Sequence, residues 1–296
     1  MFDIIIVGGG VAGLTAAIYA KRANKSVLVL EAKAVGGQII NASKISNYPG
    51  IENISGPDFA MNLYNQATNL GIEIKYETVV SITKEKEVYT NKAKYLAKAI
   101  ILATGSSYRK LNITNEEELV GKGVSYCATC DGNFYKNKIV AVVGGGNTAI
   151  QDAIYLSSIA KKVYVIHRRD SFRSEEVLVD ELSKKDNIEY IFNANVIKLN
   201  KDEVLKSITI SKDNKEEDIL VDGVFIAVGQ EPKNSIFKNI IDIDEKGYIK
   251  TNDGVHTNIK GIYVAGDARN KALRQLTTAA ADGAIASTLA IKEMES

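Results

Sequence analysis

Cysteine and histidine are scarce in this chain. Of 296 residues, two are cysteine, two are histidine, three are proline and none is tryptophan. Two histidines are too few for a His/Cys metal cluster, so we predict no metal site. The two cysteines, Cys127 and Cys130, stand three positions apart and suggest a redox-active dithiol. A structural disulfide, or half of a metal site, is the alternative to weigh against it.

Strong charge and long apolar runs are also missing. The formal net charge is +1, no basic block occurs and only 7% of residues are aromatic, so nothing favours a nucleic-acid partner. No apolar run approaches the ~18 residues of a membrane span. The N-terminus lacks the basic region and cleavage site of a signal peptide. We therefore expect a cytoplasmic protein without a membrane partner, and in that compartment a CxxC pair is more often catalytic than structural.

The first ordered pattern is a strand, a glycine loop, a helix and a second strand. Residues 3–7 and 27–30 predict buried parallel strands, and residues 14–23 predict the helix between them. The loop carries Gly8, Gly10 and Gly13, which suit a tight turn, close approach to a pyrophosphate and helix–strand packing. Glu31 ends the second strand 23 residues after Gly8, where a ribose-binding acid belongs. The pattern predicts a dinucleotide site.

A second copy of this pattern follows the cysteines. Residues 138–143 and 162–166 predict strands, and residues 148–159 predict a helix. Its loop residues are Gly144, Gly146, Asn147, Thr148 and Ala149. In the register of Glu31 the second copy carries a basic group, consisting of His167, Arg168, Arg169 and Arg173. Two guanidiniums can hold a 2′-phosphate, so we predict NADPH here, although a solvated basic surface is the alternative.

The acid at the first site suits a dinucleotide with a free ribose hydroxyl, and a two-electron relay needs a redox cofactor. We therefore predict FAD at the first site. Two segments that directly follow predicted strands would complete this pocket. The first consists of Ala103, Thr104 and Gly105, and the second of Gly266 and Asp267. Each of them alone could be an ordinary turn.

Further motifs occur in order along nearly the whole chain. They are Gly36-Gly37-Gln38, Asn47-Tyr48-Pro49-Gly50, Cys-Ala-Thr-Cys-Asp-Gly at 127–132, Gly-Gly-Gly-Asn-Thr-Ala at 144–149, His-Arg-Arg-Asp-Ser-Phe-Arg at 167–173, Gly266-Asp267-Ala268-Arg269 and Leu273-Arg274-Gln275. With these motifs, from about residue 4 to residue 289, the chain resembles the low-molecular-weight, bacterial-type, NADPH-dependent thioredoxin reductases.

The resemblance implies an α/β fold of two Rossmann-like, three-layer dinucleotide-binding domains, with the NADPH domain inserted into the FAD domain. The FAD domain would comprise residues 1–110 and 240–296, and the NADPH domain residues 111–239 with the dithiol. The polar stretches 112–118 and 232–238 would be linkers and hinges. Further FAD contacts would come from Gly37, Gln38, Asn47, Arg274 and Gln275. Thioredoxin would be the partner and the protein a homodimer.

In the implied cycle NADPH reduces FAD, and FAD reduces the Cys127–Cys130 disulfide. By family analogy Cys130 would lie nearer the flavin and Cys127 would attack the external disulfide. Asp131 follows directly and could protonate a leaving thiolate, or could only cap a helix. A helix after Gln275 would stabilise reduced flavin, or could be an Ala-rich core helix. Acidic runs such as 116–118 and 175–176 predict solvated faces, and His256 a surface residue.

Rival functions use the same residues differently. The relay could serve another redoxin or a peroxiredoxin as acceptor. The donor could instead be ferredoxin, but ferredoxin-dependent relatives lack the second fingerprint and its arginines. A flavin-binding redox sensor with a structural disulfide and no turnover would keep a nicotinamide site without using it. An NADP-dependent ferredoxin reductase of the same fold would lack the two cysteines.

Overall fold

The chain divides into two compact units. The computed structural model describes residues 1–42, 45–251 and 254–296. Unit 1 consists of Met1–Ser107 and Glu231–Ser296, and unit 2 of Tyr108–Gln230.

Each unit has α/β architecture around a parallel sheet. In chain order the strands and helices are β1 (Phe2–Val7), α1 (Val11–Arg22), β2 (Val27–Glu31), α2 (Gly56–Asn69), β3 (Glu73–Tyr76), β4 (Val79–Ile82), β5 (Glu87–Thr90), β6 (Lys94–Leu102), β7 (Ser106–Tyr108), β8 (Val124–Ser125), α3 (Ala128–Asp131), β9 (Ile139–Val143), α4 (Asn147–Ser157), β10 (Lys162–His167), α5 (Glu176–Ser183), β11 (Ile188–Phe192), β12 (Ala194–Lys201), β13 (Leu205–Lys212), β14 (Lys215–Leu220), β15 (Gly223–Ile226), β16 (Gln230–Pro232), β17 (Ile262–Val264) and α6 (Leu276–Glu295).

The main sheet of unit 1 has the parallel order β3-β2-β1-β6-β17, and β4 and β5 extend it antiparallel from the first half of β6. Strand β1 is apolar on both faces because both are covered. Ile4 and Ile6 pack in the cluster formed with α1 and α6, while Ile5 and Val7 pack in a second cluster on the opposite face. The predicted strand–helix–strand unit is confirmed, although α1 begins at Val11, three residues earlier than expected.

Unit 2 repeats this layering. Its parallel sheet has the order β11-β10-β9-β15-β8, and β12, β13 and β14 form a separate antiparallel sheet. Along β9, Val140 and Val142 pack with the helix α4, whereas Ala141 and Val143 pack with residues of β12 and β13. A parallel sheet between a helical layer and a second sheet gives three layers, as the sequence predicted.

The two points at which the chain passes between the units lie in a two-stranded ribbon of β7 and β16. The stretches 112–118 and 232–238, which the sequence suggests as linkers, are assigned to unit 2 and unit 1 respectively. Glu116 is 2% exposed inside unit 2 and Asn234 is 0% exposed inside unit 1. Both side chains form hydrogen bonds with backbone groups of their own unit. Within the described residues, no helix is both long and apolar enough to span a membrane.

Candidate functional site

The loop between β1 and α1 is shaped by close backbone packing. A β-carbon at Gly8, whose φ is +109°, would collide with the carbonyl oxygen of Ala103, so only glycine fits there. Helix α1 begins after Gly10 with no side-chain cap and no acidic residue in its first turn. A β-carbon at Gly10 would have no neighbour closer than 3.9 Å. The first N–H groups of α1 are thus left for an anionic ligand.

Glu31 and the segment after it close one side of this loop. The Gly9 N–H donates to Oε2 of Glu31 at 2.7 Å, and the Gly36 N–H donates to the Gly9 carbonyl at 2.8 Å. The carboxylate lies at the end of β2, where the sequence predicted a ribose-binding acid. Gln38 follows in a short 3-10 helix, Gly37–Asn41, and donates to the Ser106 carbonyl at 3.2 Å.

The ends of β6 and β17 complete the same edge of the unit 1 sheet. Thr104 donates its hydroxyl to Asn234 at 2.8 Å, and Asn234 in turn donates to the Ala268 carbonyl at 2.7 Å. The Gly266 N–H donates to Asp282 of α6 at 3.0 Å. Asn234 and Asp282 were not predicted, because an Asn in a polar stretch and an Asp in an Ala-rich helix carry no motif.

A buried ionic network lies beside Gly266. Asp282 accepts two hydrogen bonds from Arg269, at 2.9 and 3.0 Å, and one from Lys271 at 3.2 Å. The Lys271 ammonium also lies 3.1 Å from Asp267, and its side chain is 6% exposed. Burial alone would raise the pKa of Asp282, but Arg269 and Lys271 outweigh it and hold that pKa below its ordinary value.

Arg274 and Gln275 precede α6. The Arg274 guanidinium stacks 4.1 Å from the centre of the Tyr248 ring and donates to two backbone carbonyls. Gln275 forms a capping box with Thr278 and accepts from Asn47 at 3.2 Å. The described contacts thus bring the candidate residues of unit 1 to the carboxyl ends of its strands, the usual ligand edge of such sheets.

Unit 2 repeats the fingerprint loop between β9 and α4. A β-carbon at Gly144 would collide with the carbonyl oxygen of Ala227, as one at Gly8 would with Ala103. Helix α4 also begins without a capping side chain, and a β-carbon at Gly146 would have no neighbour within 4 Å. Residues 227–229 therefore occupy the place of residues 103–105. The sequence reasoning missed them, although an Ala-x-Gly exit from a buried strand was the available signal.

The basic segment after β10 folds back along this loop. The Arg173 N–H donates to the Gly145 carbonyl at 2.7 Å, and Asn147 accepts from the Glu175 N–H at 3.0 Å while donating to its carboxylate at 2.7 Å. The ring of Phe172 anchors the segment to β11 by packing against the rings of Tyr190 and Phe192.

The three arginines of this segment are exposed, and none has an ion-pair partner among the described residues. His167 differs from them. Its ring packs against Gly145 and is 7% exposed, and burial, followed by the charges of Arg169, Arg168 and Arg173, lowers its pKa. The neutral ring therefore supports the fingerprint loop from within the unit.

The two cysteines form a disulfide at the end of β8, with their α-carbons 5.3 Å apart. Cys127 is the residue before the four-residue helix α3, which Asp131 ends. The Asp131 side chain makes no capping bond; its Oδ2 accepts from the Ser125 hydroxyl at 2.6 Å. Its Oδ1 is buried and has no hydrogen-bond partner among the described residues. Burial raises the pKa of Asp131, which suits a proton donor.

Glu116 and Tyr126 anchor the segment that leads to the disulfide. The Glu116 carboxylate accepts from the N–H groups of Leu111 and Asn112 at 2.9 and 2.7 Å, and from the Tyr126 hydroxyl at 2.7 Å. Glu116 is therefore not part of a solvated acidic face, as the sequence suggested, because its charge is used by backbone donors. Its neighbours Glu117 and Glu118 are exposed, as is His256.

The arrangement fits two dinucleotides and a thiol–disulfide exchange. In each unit a helix begins without a capping side chain, and the glycine before it, Gly10 or Gly146, has open space where a β-carbon would lie. A pyrophosphate needs both features in order to approach the helix N-terminus. In unit 2 the disulfide follows β8 and the fingerprint follows β9, so both lie at the carboxyl edge of one parallel sheet. Among the described residues, no group of His, Cys, Asp and Glu is placed to hold a metal ion.

Comparison with known proteins gives the same picture. A family model described as pyridine nucleotide-disulphide oxidoreductase matches residues 2–283. A thioredoxin reductase of Listeria monocytogenes is 42% identical over 303 residues, which cover 100% of this chain and 94% of the relative. The crystal structure of thioredoxin reductase from Streptococcus pyogenes matches with a TM-score of 0.94 and 41% identity, covering 100% of this chain and 98% of the other. A thioredoxin reductase of Mycoplasma genitalium is 41% identical, covering 97% and 93%.

Fold and site together define a flavoprotein disulfide reductase, an oxidoreductase that acts on disulfides. The chain belongs to the pyridine nucleotide-disulphide oxidoreductase family. A flavin and a pyridine nucleotide are the cofactors that this membership implies, in agreement with the two fingerprints.

Proposed function

We propose that this protein reduces the disulfide of thioredoxin with electrons from NADPH, and that FAD and the Cys127–Cys130 pair carry them. The observation that carries the proposal is the disulfide beside the buried carboxyl of Asp131, at the same sheet edge as the arginine-tipped fingerprint. The thioredoxin reductases to which the chain is similar over its full length support this acceptor.

The exchange needs only the two sulfurs and a proton donor. In the reduced protein the Cys127 thiolate attacks one sulfur of the thioredoxin disulfide, and the other thioredoxin sulfur leaves as a thiolate and takes a proton. The Cys130 thiolate then attacks the Cys127 sulfur of the mixed disulfide. The second thioredoxin sulfur leaves and is protonated, and the Cys127–Cys130 disulfide forms again. Asp131 supplies a proton in this cycle.

The disulfide must regain two electrons for the next turnover. The flavin and the nicotinamide, when bound, supply them by hydride and electron transfer. We assign FAD to unit 1, held by Gly8, Gly10, Gly13, Glu31, Gly37, Gln38, Asn47, Ala103, Thr104, Gly105, Gly266, Asp267, Arg274 and Gln275. We assign NADPH to unit 2, held by Gly144, Gly146, Asn147, Thr148, Ala149, His167, Arg168, Arg169 and Arg173, with His167 acting through its support of Gly145.

The preference for NADPH over NADH rests on the exposed arginines. Arg168, Arg169 and Arg173 follow β10, whose last residue, His167, stands where Glu31 ends β2. Guanidiniums without an ion-pair partner among the described residues are available to a 2′-phosphate, to which they can donate charge-assisted hydrogen bonds.

One anaerobic experiment tests donor, cofactor and acceptor together. The yellow protein is mixed with NADPH, in parallel with NADH, and then with thioredoxin disulfide, while the flavin absorbance is followed. We expect NADPH to bleach the flavin and thioredoxin to restore its colour. Bleaching without recovery would point to another redoxin or a peroxiredoxin as the acceptor. No bleaching by NADPH would contradict the nicotinamide assignment and favour a ferredoxin donor.

A homodimer is part of the proposal because the resemblance implies one, and sedimentation equilibrium of the purified protein tests it. The cytoplasmic location stays a prediction from the sequence.

A further inference from the structure

Ser125 is the last residue of β8 and connects both parts of the redox site. Its side chain is buried, with the residue 3% exposed. Its hydroxyl donates to Oδ2 of Asp131 at 2.6 Å and accepts the N–H of Cys127 at 3.1 Å. One hydroxyl group therefore joins the carboxyl to the backbone of the first cysteine.

The two oxygens of Asp131 have different surroundings. Oδ2 is fixed by Ser125, whereas Oδ1 is buried and has no hydrogen-bond partner among the described residues. A buried polar atom without a partner costs free energy unless another group reaches it during function. The free oxygen belongs to the residue that directly follows Cys130.

Ser125 also counteracts the effect of burial on Asp131. Burial raises the pKa of the carboxyl, and the hydrogen bond from Ser125 lowers it because it stabilises the charged form. Removal of the hydroxyl should therefore raise that pKa further.

Other titratable groups lie on the elements packed around α3. The 3-10 helix Gly132–Tyr135 carries Tyr135, whose pKa is raised to about 12, first by burial and then by the charges of Asp131 and Asp222. Helix α4 carries Tyr155, against whose ring Gly132 packs, and Asp152, whose pKa burial raises to about 7. A titration of Asp131 must therefore be distinguished from titration of these neighbouring groups.

We propose that Ser125 is a positioning residue that fixes the Asp131 carboxyl against the Cys127–Cys130 pair, so that Oδ1 is the oxygen that delivers the proton. This inference rests on the proposed function. In the step, a proton leaves Oδ1 for the sulfur of the departing thiolate, which gives a thiol and a carboxylate. The Ser125 hydroxyl stabilises the new carboxylate through Oδ2, and the carboxyl recovers its proton from solvent. No electrons move in this step.

The test uses three substitutions at one position in the intact flavoprotein. Ser125→Ala removes the hydroxyl, and Ser125→Thr and Ser125→Val form a matched pair of equal bulk that differ in the hydroxyl. Ser207→Ala is the control, because Ser207 is a buried strand serine of the same unit that accepts from Asn200 at 3.1 Å. Asp131→Asn marks the contribution of the carboxyl itself. Thermal melts establish that each variant is folded.

Two readouts are followed from about pH 5 to about pH 9, one of which needs no turnover. The first is the rate of thioredoxin reduction, and the second is titration of the Asp131 carboxyl by ¹³C NMR, assigned with Asp131→Asn. For Ser125→Ala and Ser125→Val we expect at least a ~10-fold loss of rate. In both variants, the titration midpoint of the Asp131 carboxyl should move to higher pH. The pH above which the rate of thioredoxin reduction declines should move in the same direction. Ser125→Thr should stay near the wild type, and Ser207→Ala should change neither readout.

An unchanged midpoint in folded Ser125→Ala and Ser125→Val would overturn the inference, even with a loss of rate, because that pattern means a purely structural role. A valine variant as active as the threonine variant would overturn it as well. Failure of the wild type to reduce any thioredoxin would instead contradict the proposed function, and the NMR midpoint would still decide whether Ser125 controls Asp131. A fully active Asp131→Asn would refute both the acid role and this inference.

Discussion

At the scale of single residues, the chemistry of unit 2 depends on a few side chains held in fixed relation to two sulfur atoms. Cys127 and Cys130 are joined in the disulfide, and Asp131 continues the same short helix. Because the second cysteine resolves the mixed disulfide in the proposed exchange, its loss should stop the cycle at a defined stage.

Cys130→Ser should abolish thioredoxin reduction, to below ~1% of the wild-type rate, because the mixed disulfide can no longer be resolved. Bleaching of the flavin by NADPH should persist, since the substituted residue belongs to neither fingerprint. The measurement is NADPH oxidation coupled to thioredoxin, with a small-molecule electron acceptor as the control for the flavin. Retained thioredoxin reduction would eliminate the dithiol relay.

Residues with a motif were predictable and residues that act through buried contacts were not. The cysteines, the fingerprint glycines and the arginines after β10 stand in a recognisable spacing, so each was named from sequence. Ser125, Asn234 and Asp282 are single polar residues in ordinary surroundings, and only the fold shows what they touch. Glu116 was misjudged because an acidic run predicts a solvated face unless backbone donors converge on it.

At the scale of elements, the segment after β10 carries the arginines to which we assign the choice of nucleotide. Phe172 and the Arg173 N–H hold the segment, so the exposed arginines are presented by a fixed backbone. Because the backbone that carries these arginines is already ordered, phosphate binding would not require a large loss of conformational entropy in this segment.

Arg168→Ala combined with Arg169→Ala should raise the KM for NADPH at least ~10-fold and change kcat little, because it removes binding that is equal in ground and transition states. The KM for NADH should stay near its wild-type value. Steady-state kinetics with both nucleotides checks this, and Lys184→Ala, at an exposed position of the same unit, is the matched control. Equal effects on NADPH and NADH would contradict the phosphate assignment.

Helix α6 stabilises unit 1 through one carboxylate. Asp282 accepts from the Gly266 N–H and balances the charges of Arg269 and Lys271, whose side chains are 16% and 6% exposed. Since its pKa in the folded protein lies below the ordinary value of 3.8, the ionised form adds stability above that value. The contribution is lost as the pH falls through the folded-state pKa.

Asp282→Asn should lower the Tm by about 5–10 °C near pH 7, because Arg269 and Lys271 are left buried without their partner. The difference from the wild type should shrink between pH 7 and pH ~3, because the contribution of the carboxylate is lost as the pH falls from 3.8 toward its lowered folded-state pKa. Calorimetry at both pH values makes the measurement, with the exposed Glu52→Gln as the control. A difference in Tm that does not depend on pH would show that packing, and not charge, is responsible.

At the scale of the whole molecule, the two units share one local arrangement of strand, loop and helix. In each, a strand, a glycine loop and an uncapped helix form the ligand edge of a parallel sheet. The arrangement was predictable because its periodicity is local and repeated. The two boundaries between the units, after Ser107 and after Gln230, lie in the short ribbon of β7 and β16, which has no compositional signal.

Gly10→Ala and Gly146→Ala should each fold and each weaken one nucleotide, by ~10-fold or more, because the added methyl group points into the space that a pyrophosphate would approach. Gly10→Ala should lose flavin on dialysis and keep its affinity for an NADP analogue, and Gly146→Ala should do the reverse. Flavin content and isothermal titration measure the two effects. Loss of both ligands from either variant would contradict the assignment of one dinucleotide to each unit.

The continuity of unit 2 has a consequence for how such a protein can be re-engineered. Its first and last residues are neighbours, since the Arg109 N–H donates to the Gly229 carbonyl at 3.0 Å. Residues 108–230 thus form a cassette whose entry and exit coincide. A cassette with a different donor specificity, joined at the same two peptide bonds, can replace it without re-routing the host chain. The second fingerprint and the dithiol would be exchanged together, while the two segments of unit 1 would keep their sequence.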